Sequence, residues 1–165
     1  MKMASALRFV AVSLVLLMAG PVSGLVVQPA AAQLATFKTS ELTIQTAGGA
    51  RHFAIELAIT EEQKEQGLMF RPSMAADAGM LFDYPQPRQV AMWMKNTLLP
   101  LDMLFVGADG KIVNIRERAV PGSLENIESA GPVRAVIELN GGTVARLGIK
   151  PGDTVSGPGF QPLKS

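Results

Sequence analysis

The sequence predicts a single β-rich α+β domain with a mostly antiparallel, barrel-like sheet and two short helices. The length of 165 residues suits one domain. Short runs of alternating apolar and polar residues recur between turn signals, which is typical of about seven antiparallel strands. Two short stretches carry helix signals. We place the globular domain at residues 41–156.

The first 32 residues have the pattern of a secretory signal. Two basic residues precede an apolar run over residues 9–19, and Gly and Pro follow it. The small residues before position 33 favour cleavage after Ala32, with cleavage after Gly24 or a retained anchor as the alternatives. We therefore expect a periplasmic or secreted protein that touches the membrane only through this segment before cleavage.

Composition excludes several classes of function. The chain has no cysteine and one histidine, which removes disulfides, thiol catalysis and a multi-histidine zinc site. It carries 15 basic and 14 acidic residues, so it has no positive surplus for a nucleic-acid partner. We expect no metal site and no cofactor.

The N-terminal half of the domain begins with a hairpin and a helix. Residues 33–40 are expected to form a flexible lead, followed by strands at 41–47 and 50–59 that are joined by a Gly-Gly turn. Thr60 and Gln63 have the spacing of a capping box, which starts a helix that a glycine ends within two turns.

The middle of the chain predicts four further strands, the last two of them in a hairpin. Strands at 79–83 and 89–95 are separated by a two-proline loop. An Asp-Gly turn joins strands at 101–106 and 111–118. Residues 119–132 have no clear period, and a loop of this length is typical of a lid or a binding loop.

The C-terminal part completes the sheet. Residues 133–139 form a strand, 142–147 a short helix that ends at a glycine, and a last strand lies near Thr154. Residues 157–165 are rich in Pro and Gly and are expected to fray.

Isolated charges within apolar stretches are the strongest functional signal. Lys95, Asp102 and Glu138 each interrupt a run of large hydrophobic residues, and Arg71 follows another. Such charges must be paired, hydrogen-bonded or open to a wet cleft. In the strand interpretation Trp93 and Lys95 share a face. The residues alone leave open a structural ion pair of Lys95 with a carboxylate, a ligand cleft, or acid/base catalysis by the two carboxylates.

Six motifs carry a family resemblance, in this order: GLMFR (67–71), GMLFD (79–83), MWMKNT (92–97), PLDMLFV (100–106), IELNGG (137–142) and LGIKPGD (147–153). Over residues 41–156 the chain resembles the domain-of-unknown-function 192 family. The resemblance implies a compact, barrel-like α+β domain that is frequently exported, and it implies no established activity. The recurrent polar positions of the family fall on Arg71, Lys95, Asn96, Asp102 and Glu138.

Together these features predict an exported envelope protein that acts as a small ligand-binding or accessory module. Its partner would be a small molecule or another envelope protein, with the loop at 119–132 covering the ligand. The predicted ligand-binding residues are Arg71, Trp93, Lys95, Asn96, Asp102 and Glu138. The alternatives are a periplasmic hydrolase that uses Asp102 and Glu138, and a protein-interaction domain with an exposed apolar patch. Whether the protein is an enzyme stays open.

Overall fold

The chain from residue 34 to residue 160 is built around one seven-stranded sheet. These are the residues that this computed structural model describes. The expected signal peptide at 1–32 and the last five residues of the expected tail lie outside them. Within this range neither helix has the length and apolar character needed to cross a membrane.

Within residues 34–160, nine strands and two helices follow one another. They are β1 (Lys38–Thr46), β2 (Gly49–Ala58), α1 (Glu61–Gln66), β3 (Ala78–Arg88), β4 (Ala91–Met92), β5 (Leu101–Val106), β6 (Ile112–Ala119), β7 (Ile127–Glu128), β8 (Val133–Asn140), α2 (Thr143–Leu147) and β9 (Thr154–Ser156).

The strand order of the main sheet is β6-β5-β8-β3-β2-β1-β9, and β4 pairs with β7 in a separate two-stranded sheet. Every pairing is antiparallel except that of β2 with β3, which α1 connects. The predicted α+β class, the mainly antiparallel pairing and the two short helices are confirmed.

The predicted barrel-like closure is wrong, because the main sheet is open. Its edge strands β6 and β9 approach each other at one end, where Lys111 bridges to Thr154 and the backbone of Ile112 bonds to that of Gly152 and Asp153. β9 has three residues and β6 has eight, so most of β6 has no partner with which to close the sheet.

Each face of the sheet carries its own apolar cluster. The first face packs against α2 and includes Leu42, Ile44, Phe53, Ile55, Leu104, Ile137 and Val144. The second face includes Leu68, Met80, Phe82, Met94, Met103, Phe105 and Val136. All six residues of β5 are buried, because side chains alternate between two covered faces.

The first hairpin and the helix after it form close to the predicted positions, although β1 starts three residues before the predicted strand and takes in residues 38–40 of the expected lead. β1 begins at Lys38, and its turn to β2 uses Gly49 at a φ of +101°, a conformation that favours glycine. At the start of α1 the Thr60 hydroxyl accepts from the Gln63 amide at 3.3 Å, and Gln63 Oε1 accepts from the Thr60 amide at 3.0 Å. The capping box is therefore confirmed.

The predicted strand at 89–95 is wrong for most of its length. Only β4 pairs, and the backbone then turns, so that the Met94 amide donates to Ser123 O at 3.0 Å and Met94 O accepts from the Gly122 amide at 3.0 Å. Burial still alternates along this segment, with Met94 buried between the exposed Trp93 and Lys95. The alternation arises from packing onto the second face rather than from strand pairing.

Candidate functional site

A cavity of about 550 Å³ opens on the second face of the sheet, between α1, β3 and the segment 91–97. Its volume lies in the range of small-ligand sites. The side chains that line it include one buried acid, three aromatic rings, three cations and apolar walls: Glu138, Phe82, Tyr84, Trp93, Lys64, Arg88, Lys95, Leu68 and Met92.

Glu138 is the buried acid of this cavity. It lies on β8 between Met80 of β3 and Met103 of β5, so its side chain points to the second face. The residue is 4% exposed, and no hydrogen bond from residues 34–160 reaches its carboxyl group. Burial raises the pKa of Glu138 to about 8. At neutral pH its carboxyl group is therefore mainly protonated and able to donate a hydrogen bond.

Three cations lie over aromatic rings at the mouth of the cavity. Lys64 Nζ is 5.1 Å and Arg88 Cζ is 4.7 Å from the centre of the Tyr84 ring, and Lys95 Nζ is 5.1 Å from that of Trp93. Lys64 also pairs with a glutamate of its own helix at 2.8 Å. Arg88 and Lys95 have no ion pair with any carboxylate of residues 34–160. Two cations thus remain available beside the cavity.

Tyr84 of β3 connects the cavity wall to β4. Its hydroxyl donates to Met92 Sδ at 3.8 Å. Burial raises the pKa of Tyr84 to about 12, and the negative charge of an ionised Glu138 acts in the same direction. Tyr84 therefore remains a neutral hydroxyl at physiological pH.

Asn96 holds the turn at the edge of the cavity. It has a φ of +55°, and its carbonyl accepts from the amide of Phe70, which has a φ of +64°. The Asn96 Nδ2 atom lies 3.8 Å from Met69 Sδ. Phe70 and Asn96, both with left-handed backbone conformations, therefore join the segment after α1 to the segment 93–97.

Asp102 lies outside the cavity and has a different environment. It is fully buried and accepts from the backbone amides of Arg118 at 2.8 Å, Gly142 at 3.0 Å and Val144 at 2.8 Å. Arg118 sits at a φ of +47° where the pairing of β5 with β6 is irregular. The hydrogen bonds of the Asp102 carboxylate thus connect the irregular part of β6 to the start of α2.

Arg71 also lies outside the lining of the cavity. Its guanidinium makes two hydrogen bonds to the carboxylate of Glu56 on β2, at 2.5 and 2.7 Å, and lies 5.5 Å from the centre of the Phe37 ring. The bond to Glu56 is the main cause of a raised pKa of Arg71. This pair connects the segment after α1 to the sheet.

Four of the six residues predicted from the sequence therefore share one cavity: Trp93, Lys95, Asn96 and Glu138. Arg71 and Asp102 are engaged elsewhere by protein groups. The sequence did not indicate Lys64, Arg88 and Tyr84, because no motif or spacing relates α1 to the end of β3. The only available sign was that Tyr84 is the single tyrosine of the chain.

The loop expected to cover the ligand borders a neighbouring space. A second cavity of about 520 Å³ is lined by residues 121, 122 and 124 of this loop together with residues 95–98. Lys95 and Asn96 line both cavities. The two spaces are thus adjacent along the segment 95–97.

Exposed apolar side chains surround these openings. Five of the eight large hydrophobic residues that are exposed in the range 34–160 lie on the segments 68–71, 93–98 and 120–124: Phe70, Trp93, Leu98, Val120 and Leu124. Backbone hydrogen bonds join the middle segment to each of the other two. We call these five residues the apolar rim.

The described residues hold no group of three His, Cys, Asp or Glu side chains arranged to bind a metal ion.

The structure is therefore that of a small α+β domain with an open mixed sheet. Its second face carries a cavity of the size that small ligands occupy. A family model matches residues 42–157, and the chain belongs to that family, DUF192, which is described as an uncharacterized ACR. The resemblance seen in the motifs is thereby confirmed.

Two solved structures are similar to this chain. A protein from Sinorhizobium meliloti 1021, described as a candidate transcription regulator, has 50% sequence identity and a TM-score of 0.74, over 76% of this chain and 98% of that one. A protein of unknown function from Novosphingobium aromaticivorans DSM 12444 has 43% identity and a TM-score of 0.70, over 72% and 84% of the two chains. Among the curated proteins compared with the chain, none matches it.

Proposed function

We propose that the protein is an exported envelope module that binds a small ligand in the cavity above Glu138, with Trp93, Lys95 and Asn96 in contact with that ligand. The observation that carries the proposal is a buried carboxyl group that has no hydrogen-bond donor in residues 34–160 and that faces an open cavity.

A carboxyl group in this position weakens the fold on its own. Its neighbours across the sheet are Met80 and Met103, so an apolar side chain would fill the place of Glu138 without the penalty of burying a polar group, which is several kcal/mol. Strongly shifted acids in clefts are enriched at functional sites. A ligand that bonds to this group explains why an acid stands there.

Export is supported by the start of the sequence. The basic residues, the apolar run over residues 9–19 and the small residues before position 33 together favour secretion. The absence of cysteine is compatible with an oxidising compartment. We place the mature protein in the periplasm or outside the cell.

A role in contacting DNA has weaker support, although the S. meliloti relative is described as a candidate transcription regulator. Of the 15 basic residues, Lys2, Arg8 and Lys164 lie outside the range 34–160, whereas all 14 acidic residues lie within it. The folded domain is therefore slightly acidic, and it offers no basic surplus to neutralise phosphates.

A protein-interaction function is the second candidate, and the apolar rim favours it. Exposed apolar side chains that cluster at one surface are typical of partner sites. Under this alternative, the substitution Leu124→Ser would abolish capture of an envelope partner while leaving a small ligand in the cavity.

Native mass spectrometry of the protein purified from its own envelope fraction tests the proposal. We expect a retained noncovalent mass on the wild type and its loss from Trp93→Ala. The matched control is Phe70→Ala, which removes another exposed aromatic ring that does not line the cavity and should keep the mass. A wild type without any retained mass, or equal loss from both variants, would contradict a ligand site in this cavity.

A further inference from the structure

The arrangement of charges around the cavity points to the kind of ligand it takes. We infer that it binds the carboxylate of a small organic acid with an apolar body, between Glu138 on one side and Lys95 and Arg88 on the other. This inference rests on the proposed function and names the ligand class of the same site.

The aromatic rings of the cavity argue against a cationic ligand. An amine could be held by ring faces together with an acid, as in aromatic cages. Here protein cations already lie over the two polar rings, since Lys64 and Arg88 lie over Tyr84 and Lys95 lies over Trp93. A ligand ammonium would have to displace these groups and would be repelled by them.

The same cations favour an anion. Arg88 and Lys95 have no carboxylate partner within residues 34–160, so each can pair with a ligand anion. The acids of α1 that line the cavity, Glu61 and Glu65, are both exposed, and Glu61 is bonded to Lys64. A ligand anion in the cavity therefore has two unpaired cations and one uncharged acid among the groups that line its site.

A carboxylate matches the group at the buried end. The carboxyl group of Glu138 donates one hydrogen bond when it is protonated, and a charged oxygen is its strongest acceptor. Leu68, Phe82 and Met92 line the remaining wall, which suits an apolar body. Ionisation of Glu138 would remove the donor and place a like charge beside the ligand. Binding must therefore weaken as Glu138 loses its proton.

The fluorescence of Trp93 reports directly on ligand binding, because Trp93 is the only tryptophan of the chain and lines the cavity. The probes are phenylacetate, 2-phenylethanol and 2-phenylethylamine, which share an aromatic body and differ in charge. The measurement is the Trp93 fluorescence emission of the purified protein on titration with each probe at pH 7. We expect saturable binding of phenylacetate at least tenfold tighter than that of the alcohol or the amine.

Two variants separate the roles of the polar groups. Glu138→Gln keeps a donor of the same shape, so it should bind phenylacetate within about threefold of wild type at pH 7. Wild-type affinity should fall by up to about tenfold per pH unit above the pKa of about 8, whereas the Gln variant should lose this fall. Lys95→Gln should weaken phenylacetate binding about tenfold and leave the alcohol unaffected.

The outcomes distinguish this inference from the function on which it rests. Preference for the amine or the alcohol, a pH profile that is the same in Glu138→Gln, or no response to any probe up to 10 mM would overturn the ligand class. A noncovalent mass retained by the envelope-purified protein would still support the cavity as a ligand site in each of those cases. Absence of that mass would contradict the proposed function itself.

Discussion

Asp102 and Glu138 lie on adjacent strands, one register step apart, and point to opposite faces of the sheet. In the pairing of β5 with β8, Asp102 is opposite Leu139 and Met103 is opposite Glu138. Side chains alternate along each strand, so the two carboxyl groups cannot meet in one cleft. This geometry excludes the hydrolase mechanism in which both would act on one substrate. One acid organises the backbone, and the other faces the cavity.

The first prediction concerns Asp102. The substitution Asp102→Asn replaces one acceptor oxygen with an NH₂ group that faces backbone donors, and it should lower the free energy of unfolding by about 2–4 kcal/mol. The measurement is urea denaturation. Asp109→Asn is the control: it changes an exposed turn acid and should stay within about 0.5 kcal/mol of wild type. Equal stability of the two variants would show that Asp102 does not hold the framework.

The second prediction concerns the pH dependence of stability. Burial raises the pKa of Glu138 in the folded state from 4.5 to about 8, so its ionisation costs the fold nothing below pH 4.5 and an increasing amount of free energy as the pH rises to 8. The slope is about 1.4 kcal/mol per pH unit for this one group. Glu138→Gln should therefore become more stable than wild type as the pH rises, by up to about 4 kcal/mol near pH 8.

Denaturation in urea at intervals from pH 4.5 to 9 measures this difference. The control variant Glu128→Gln changes an exposed acid and should follow the wild-type curve. A Glu138→Gln variant that is destabilised equally at every pH would mean that the acid is satisfied by the protein itself.

The third prediction separates the backbone of Asn96 from its side chain. Asn96→Ala places an unfavourable residue at a φ of +55° and should lose about 1 kcal/mol of stability, whereas Asn96→Gly should remain close to wild type. Both variants lack the amide that lines the cavity, so both should bind phenylacetate more weakly. Thermal unfolding and the Trp93 titration measure the two effects. Full affinity in Asn96→Gly would remove the side chain from the ligand site.

The fourth prediction concerns export. We expect the protein recovered from the cell envelope to begin at Gln33, because the small residues that precede it suit a signal peptidase. Intact-mass and N-terminal analysis of that fraction measures the start. A start at Leu25 would support the alternative cleavage site, and a full-length chain confined to the cytoplasm would contradict export.

Local signals in the sequence predict much of this fold. The capping box at Thr60 and the turn with Gly110 at a φ of +79° each depend on residues close together in the chain. The strand predicted at 89–95 is wrong beyond Met92 because alternating apolar and polar residues are typical of a strand, and nothing local in the sequence shows that this segment lacks a pairing partner. The open sheet could not be predicted for a similar reason. It depends on the short β9, which pairs with β1, a strand far away in the sequence.

The site was only partly predictable for the same reason. Lys95 and Glu138 stood out as charges in apolar runs, and both line the cavity. Asp102 gave the same signal, but its partner amides come from three distant residues, and the register of β5 on β8 decides which face it occupies. Arg88 gave no signal, since its position over Tyr84 arises only from the course of β3.

A crystal structure of the protein purified from its own envelope fraction, with no ligand added, tests the central claim most directly. The proposal predicts ordered density for a small molecule within hydrogen-bonding distance of the Glu138 carboxyl group and in contact with Lys95 or Arg88. A cavity that holds only water, with Glu138 bonded to protein groups, would contradict it.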